Sequence, residues 1–260
     1  MSRFAFVLLL ALALAEFRPA NAETTRPPCV FFMIGEAEYD TATTLPAFAK
    51  TELEPRGIRC TFSILPDEKS EEFPNFDALK DADLLFISVR RHAPPPTQMA
   101  LIRAHVAAGK PVAGIRTASH AFGKRKGEKE GAWETFDAEV LGGNYQGHYG
   151  KGIATFAKIV PEAAGHSVLA GIGVEEFRVP SHLYKNPDLP PTVTKLLTAR
   201  MEGRPEIEPI AWVNTMHGRR VFYTSLGSAE DFDVPQFRRL LLNGIRWALG
   251  GGGQSLNSAP

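Results

Sequence analysis

The chain has 260 residues, with 29 Lys and Arg against 29 Asp and Glu and a formal net charge of +0. That balance argues against a nucleic-acid or anionic-membrane role, which needs a concentrated basic face, and the local basic clusters are small. The length suits one compact domain, and two cysteines allow one disulfide at most.

In chain order, Arg3, the apolar run Phe4 to Ala15 and the small residues Ala20-Asn21-Ala22 read as a secretory signal (residues 1–22) cleaved after Ala22. The run is too short to span a bilayer comfortably as an anchor. The sequence thus predicts a periplasmic or secreted protein with no membrane segment after cleavage. Pro28 to Gly35 is continuously apolar, as a strand buried on both faces should be. Thr43 to Arg56 fits a helix stopped by Gly57, Arg59 to Leu65 a second strand, and Asp77 to Lys80 a short turn. Asp83 to Ser88 is a third strand, Pro95 to Ala108 a helix capped by Gly109, and Val112 to Ile115 a fourth strand.

Past Phe122 the pattern loosens. Gly123 to Gly131 is a charged surface loop, and Trp133 to Val140 a short helix ending at Gly142-Gly143. Ile153 to Val160 reads as a strand, and Pro180 to Pro191 is too proline-rich to be regular. Ile210 to Asn214 and Arg220 to Ser225 form a hairpin about His217-Gly218. Val234 to Leu249 closes the fold as an amphipathic helix that should bury Leu241 and Ile245 and leave Arg238 and Arg239 nearer solvent. Residues 250–260 read as a disordered tail, so residues 23–249 make one domain. The strand–helix alternation predicts an α/β fold, doubly wound, with a mostly parallel sheet and helices on both faces.

The richest stretch is Lys110 to Phe122. A buried strand there delivers a sharp turn to the sheet rim, where many α/β enzymes place a nucleophile. The crest residue is Arg116, which is always protonated and cannot serve as one.

Gly114-Ile-Arg-Thr-Ala-Ser-His120, Leu141-Gly-Gly-Asn-Tyr-Gln-Gly-His148, Arg220-Val-Phe-Tyr-Thr-Ser-Leu-Gly227 and Phe237-Arg-Arg-Leu-Leu-Leu-Asn-Gly-Ile-Arg-Trp-Ala248 occur in that order. In these segments the chain resembles the ThuA-like family, associated with trehalose utilisation. The resemblance implies a flavodoxin-like, class I glutamine amidotransferase-like fold and a sugar-related role. The amidotransferase cysteine position falls on Arg116, and Cys29 and Cys60 both stand at the starts of their strands, away from the end where the site should lie. Cysteine-dependent glutamine hydrolysis is therefore not expected. Many ThuA-like chains also carry a histidine after the final Leu-Gly, where this one has Ser228.

Open parallel sheets bind ligands outside the carboxyl ends of their strands. Glu36 and Glu38 follow the first strand, Arg90, Arg91 and His92 the third, and Arg116, Ser119 and His120 the fourth. His148 lies in a glycine-dense loop, where imidazole can act as acid or base. His182 is a second loop histidine, and Trp133, Tyr145 and Tyr149 offer stacking faces or core. His105 and His166 read as surface or capping residues, and His217 as a turn residue. The expected catalytic residues are His120, His148 and Arg116, and the expected substrate contacts are Glu36, His92, Ser119, Tyr149 and His182. No phosphate loop is present and no close-spaced ligand pair supports a metal, so neither cofactor nor metal is expected. A site built from His120, His148, His182 and Glu36 would also set a cation near Arg116. An Arg/His/Ser/Tyr pocket suits a neutral sugar or a carboxylated ligand.

Two functions fit. One is an exported enzyme acting on a sugar or modified disaccharide, with His120 or His148 exchanging protons and Arg116 fixing an anionic or carbonyl oxygen. The other is a non-catalytic carbohydrate-binding or scaffold protein that retains the fold. Export would also place Cys29 and Cys60 in an oxidising compartment at adjacent strand starts, which predicts a disulfide between them.

Overall fold

The computed structural model describes residues 26–125 and 130–251. The signal segment, the tail from residue 252 and residues 126–129 of the charged loop lie outside the described residues. Among the described residues, nine strands form one sheet in the order β2-β1-β3-β4-β9-β8-β7-β5-β6. They are β1 (Cys29–Gly35), β2 (Arg59–Ile64), β3 (Leu84–Val89), β4 (Val112–Ile115), β5 (Thr155–Ile159), β6 (Phe177–Val179), β7 (Val193–Met201), β8 (Ile207–Asn214) and β9 (Val221–Thr224). The run β2-β1-β3-β4-β9 is parallel throughout, and the pairings from β9 to β6 are antiparallel, so only β5 and β8 oppose the rest.

The apolar strands build two cores by alternation. From β1, Val30, Phe32 and Ile34 enter one core together with Leu45 and Phe48 of α1 (Thr41–Phe48) and Leu241 and Ile245 of α3 (Pro235–Ala248). Phe31 and Met33 point the other way and meet Met99 and Ile102 of α2 (Pro96–Ala107), with Trp133 and Phe136. Helices thus cover both faces, as the alternation of apolar runs requires. The third helix meets its expectation: Leu241 and Ile245 are buried, Arg239 is exposed, and half-buried Arg238 pairs with Glu52 at 2.6 Å.

Several expectations change. The helix expected over Thr43 to Arg56 is α1 followed by a wide π turn at Ala49–Leu53 and a tight turn at Glu54–Arg56, and Gly57 ends it at φ 73°. The Arg116–His120 segment is a short 3-10 turn, the sharp turn expected at the sheet rim. His105 is not a surface residue. It is buried, and its Nε2 lies 3.0 Å from the Pro111 carbonyl.

The expected disulfide is absent. Cys29 aligns with Arg59 and Cys60 with Val30, a one-residue offset that sends the two side chains to opposite faces of the sheet. Cys29 meets Thr61, Cys60 packs with the opposite core, and both thiols are free. Burial pushes the Cys60 thiol up to about 12, so it is not a nucleophile at neutral pH.

Candidate functional site

The chain order β1-β2-β3 makes the sheet switch direction at β1, and a crevice opens outside the carboxyl ends of β1 and β3. A cavity of about 650 Å³ occupies it, bordered by Glu36, Glu38, Asp67, Arg90, His92 and Arg125 among others. Glu36 itself is engaged by the protein. Its carboxylate accepts from the backbone N–H groups of Glu38, Tyr39 and Thr41 and from the Thr41 hydroxyl, holding the turn into α1. Glu38 faces Lys151 at 3.2 Å and Arg90 at 3.4 Å. Burial would raise the Glu38 carboxyl, but Lys151 and Arg90 hold it below the usual range. His92 is buried, with its Nδ1 2.6 Å from Arg125 and 3.1 Å from the Glu71 carboxylate, and burial lowers its basicity.

Beside this cavity stands a cluster of rings. Arg116, at the tip of β4 with φ 48°, is fully buried beneath them. Its guanidinium lies 4.3 Å from the Tyr184 ring centre and 4.5 Å from that of Tyr39. It donates to the carbonyls of Ser225 at 2.7 Å and His182 at 3.1 Å, and its second arm meets His182 Nδ1 at 2.9 Å. An arginine can only donate, so the His182 ring nitrogen accepts and the imidazole is neutral. Burial first, then Arg116 and His148, push the His182 pKa down to about 3.

His120 stacks on Tyr145 at 4.5 Å with an 18° interplanar angle, and its Nδ1 shares a 3.1 Å hydrogen bond with Ser119. Burial, reinforced by Arg91, Arg90 and Arg116, takes its pKa down to about 3. His148 packs edge-on against His182 at 4.6 Å and is exposed. Its Nδ1 lies 2.8 Å from the Tyr149 carbonyl, which can only accept. Nδ1 therefore carries the proton, and in the neutral ring Nε2 is left with a free lone pair.

The structure thus gathers Arg116, Ser119, His120, His148 and His182, and it sets Glu36 and His92 along the neighbouring cavity. Tyr149 contributes its carbonyl, while its hydroxyl turns away to donate to Glu208 at 2.8 Å. Among the described residues, no group of three or more His, Cys, Asp or Glu is arranged to hold a metal ion. Tyr39 and Tyr184 were not singled out in the sequence, because nothing local marks either as a neighbour of Arg116. Asp137, beneath Tyr145, escaped notice for the same reason.

A family model described as ThuA, trehalose utilisation, matches residues 33–248. The chain belongs to the ThuA family. Two solved ThuA-like proteins share the fold of this ThuA protein. One, from Bacteroides uniformis ATCC 8492, is 16% identical with a TM-score of 0.64, covering 89% of this chain and 95% of that one. The other, from Parabacteroides merdae ATCC 43184, is 15% identical with a TM-score of 0.58, covering 90% and 93%. Agd3, described as a carbohydrate deacetylase, is 11% identical with a TM-score of 0.55 over 86% of this chain and 32% of its own. At such identities the likeness is one of fold alone. No curated protein is similar to this ThuA chain at a significant level.

Proposed function

We propose that this ThuA protein is an exported enzyme that performs histidine acid–base chemistry on a neutral sugar. The observation that carries the reading is the contact of His148 Nδ1 with the Tyr149 carbonyl. With Nδ1–H held on the Tyr149 carbonyl, Nε2 of this exposed ring is the available base, beside His182. His148 takes a proton from the bound sugar onto Nε2 and later returns it. His120, held by Ser119 and Tyr145, is the second proton carrier, and the neutral His182 ring orients the ligand. Arg116 is a positioning residue beneath them, because its two terminal nitrogens are engaged by protein carbonyls and by His182, while its buried Nε has no hydrogen-bond partner among the described residues.

The cavity favours a neutral polyhydroxyl ligand over a carboxylated one. Its border carries Glu36, Glu38, Asp40, Asp67 and Glu68 against Arg90, Arg91 and Arg125, a mixture that suits hydroxyl donors and acceptors. The family match to trehalose utilisation supports the sugar class. The parallel order β2-β1-β3-β4-β9 supports a flavodoxin-like, amidotransferase-like reading of the sheet. Export rests on Arg3, the Phe4 to Ala15 run and Ala20-Asn21-Ala22. Among the described residues no helix is long and apolar enough to cross a membrane.

Ser228 favours a second reading, sugar binding without turnover. It stands where many ThuA-like chains have a histidine, and here it is buried in a capping box with Asp231 and bonded to Ser181 at 3.1 Å. A panel of unmodified and oxidised disaccharides, assayed for both heat of binding and product, separates the two. Turnover of a member of the panel supports the enzyme. Binding with no product on any bound sugar supports the second reading.

A further inference from the structure

We propose that Asp137 is a positioning residue that sets the Tyr145 ring against His120. Asp137 opens the π turn Asp137–Leu141, part of the core wall under the site. Its Oδ2 accepts the Tyr145 backbone N–H at 2.8 Å, and its own carbonyl accepts Gly143 N–H at 3.0 Å. The loop from Gly142 to Tyr145 is therefore tied back to one residue at two points. Gly142 makes the reversal at φ 72°, a conformation that suits glycine. Gly143 permits the close approach, since a Cβ there would stand 2.1 Å from Asp137 Oδ1.

Tyr145 is what this tether delivers. Its ring stacks on His120 and lies 4.7 Å from Tyr184, so it joins the two sides of the ring cluster. A buried carboxyl is costly to retain when hydrophobic packing would serve. Here Oδ1 is buried with no hydrogen-bond partner among the described residues, although Oδ2 holds Tyr145. The turn packs on β4, β9 and the Arg116–His120 segment. The titratable groups on those elements are Tyr223, Arg116 and His120, and Arg116 is directed at His182 and Ser225. Among the described residues on these elements no cation therefore neutralises the carboxyl, which burial raises to about 7. Local packing alone does not call for an acid at this place, whereas an acceptor for Tyr145 N–H does.

The inference rests on the proposed site only for its consequence in turnover, because the positioning itself is read without substrate. In the full chain with ¹³C-labelled histidine, the His120 Hε1 resonance is assigned by its loss in His120→Gln. Stacking on Tyr145 imposes a ring-current shift, and Tyr145→Leu measures its size. Asp137→Ala should abolish most of that shift. Asp137→Asn, whose side-chain carbonyl still accepts Tyr145 N–H, should retain it. Gly143→Ala, which drives a methyl into the carboxyl, should lose it as well, and it serves where Asp137→Ala does not fold. A full ring-current shift in folded Asp137→Ala or folded Gly143→Ala overturns the proposal, as does equal loss in Asp137→Asn and Asp137→Ala. Sugar turnover failing in every variant and in wild type would remove the enzyme reading and leave this result standing.

Discussion

Arg116 and His182 meet at 2.9 Å across 66 residues of chain, and the contact joins the tip of β4 to the proline-rich segment that carries Tyr184. The guanidinium is fully buried against the rings of Tyr39 and Tyr184, with no carboxylate within salt-bridge distance among the described residues. A desolvated cation of this kind is retained only when its donors are well used. Arg116→Met should leave the Ser225 and His182 carbonyls without their donors and destabilise the protein by roughly 1–3 kcal/mol for each carbonyl left unpaired. It should also let the His182 pKa rise. Urea unfolding measures the first effect and histidine NMR the second. A loss below about 1 kcal/mol would show that the buried cation is dispensable.

Stability should respond to pH in two opposed ways. Burial takes His105 down to about 4, and His120 and His182 to about 3. These groups contribute stability that is present above the ordinary histidine pKa and is lost as pH falls toward their native values. Asp137 is raised to about 7, so its contribution is present below the ordinary aspartate pKa and is lost as pH rises through about 7. Between pH 4 and 6.5 the two slopes oppose each other. Asp137→Asn removes one of them, so its stability relative to wild type should improve on going from pH 4 to pH 8, by at most about 4 kcal/mol. Urea midpoints at the two pH values test this, and an unchanged difference would contradict it.

The third helix should tolerate little change on its inner face. Ile245 is fully buried, and a Cβ on Gly244 would lie 2.5 Å from the Phe222 ring. Ile245→Asp should cost several kcal/mol, about the range for burying an unpaired charge or polar group. Gly244→Ala should cost about 1–3 kcal/mol by overpacking. Chemical denaturation of each variant checks both. Wild-type stability in either would mean that α3 does not seat on β9 as described.

Both cysteines should be modified when the non-reduced, denatured protein is alkylated, because the β1–β2 register separates their side chains. Intact mass reports this directly, and an unmodified pair that becomes reactive after reduction would contradict the register.

The sequence reading succeeded where burial imposes a simple pattern. β1, β3 and β4 are buried at every position, and their apolar runs were visible without neighbours. The nine-residue β7 was missed because Lys195 and Arg200 interrupt it and its pairing with β8 shifts register between Lys195 and Thr198. β6 has three residues, too few for a period to show. The same division holds in the site. Arg116, His120 and Glu36 were legible because strand ends of a parallel sheet converge. Tyr39, Tyr184 and Asp137 owe their importance to contacts between distant segments, which no local pattern encodes. Arg116 was correctly placed at the crest but expected to face ligand. A sequence shows the charge of such a residue and not the carbonyls that fold over it. The cysteines differ from a bridgeable pair by one residue of register, a quantity that adjacent strand starts leave open.

Proton transfer through His148 and His120 is the centre of the account. The direct measurement is steady-state turnover of a responsive sugar by wild type, His148→Ala and His120→Ala, with binding followed by calorimetry in the same samples. Each substitution should lower kcat by about 10²–10⁴-fold, the usual contribution of a positioned acid or base, and leave sugar affinity within about tenfold. Turnover unchanged in both variants would contradict the account.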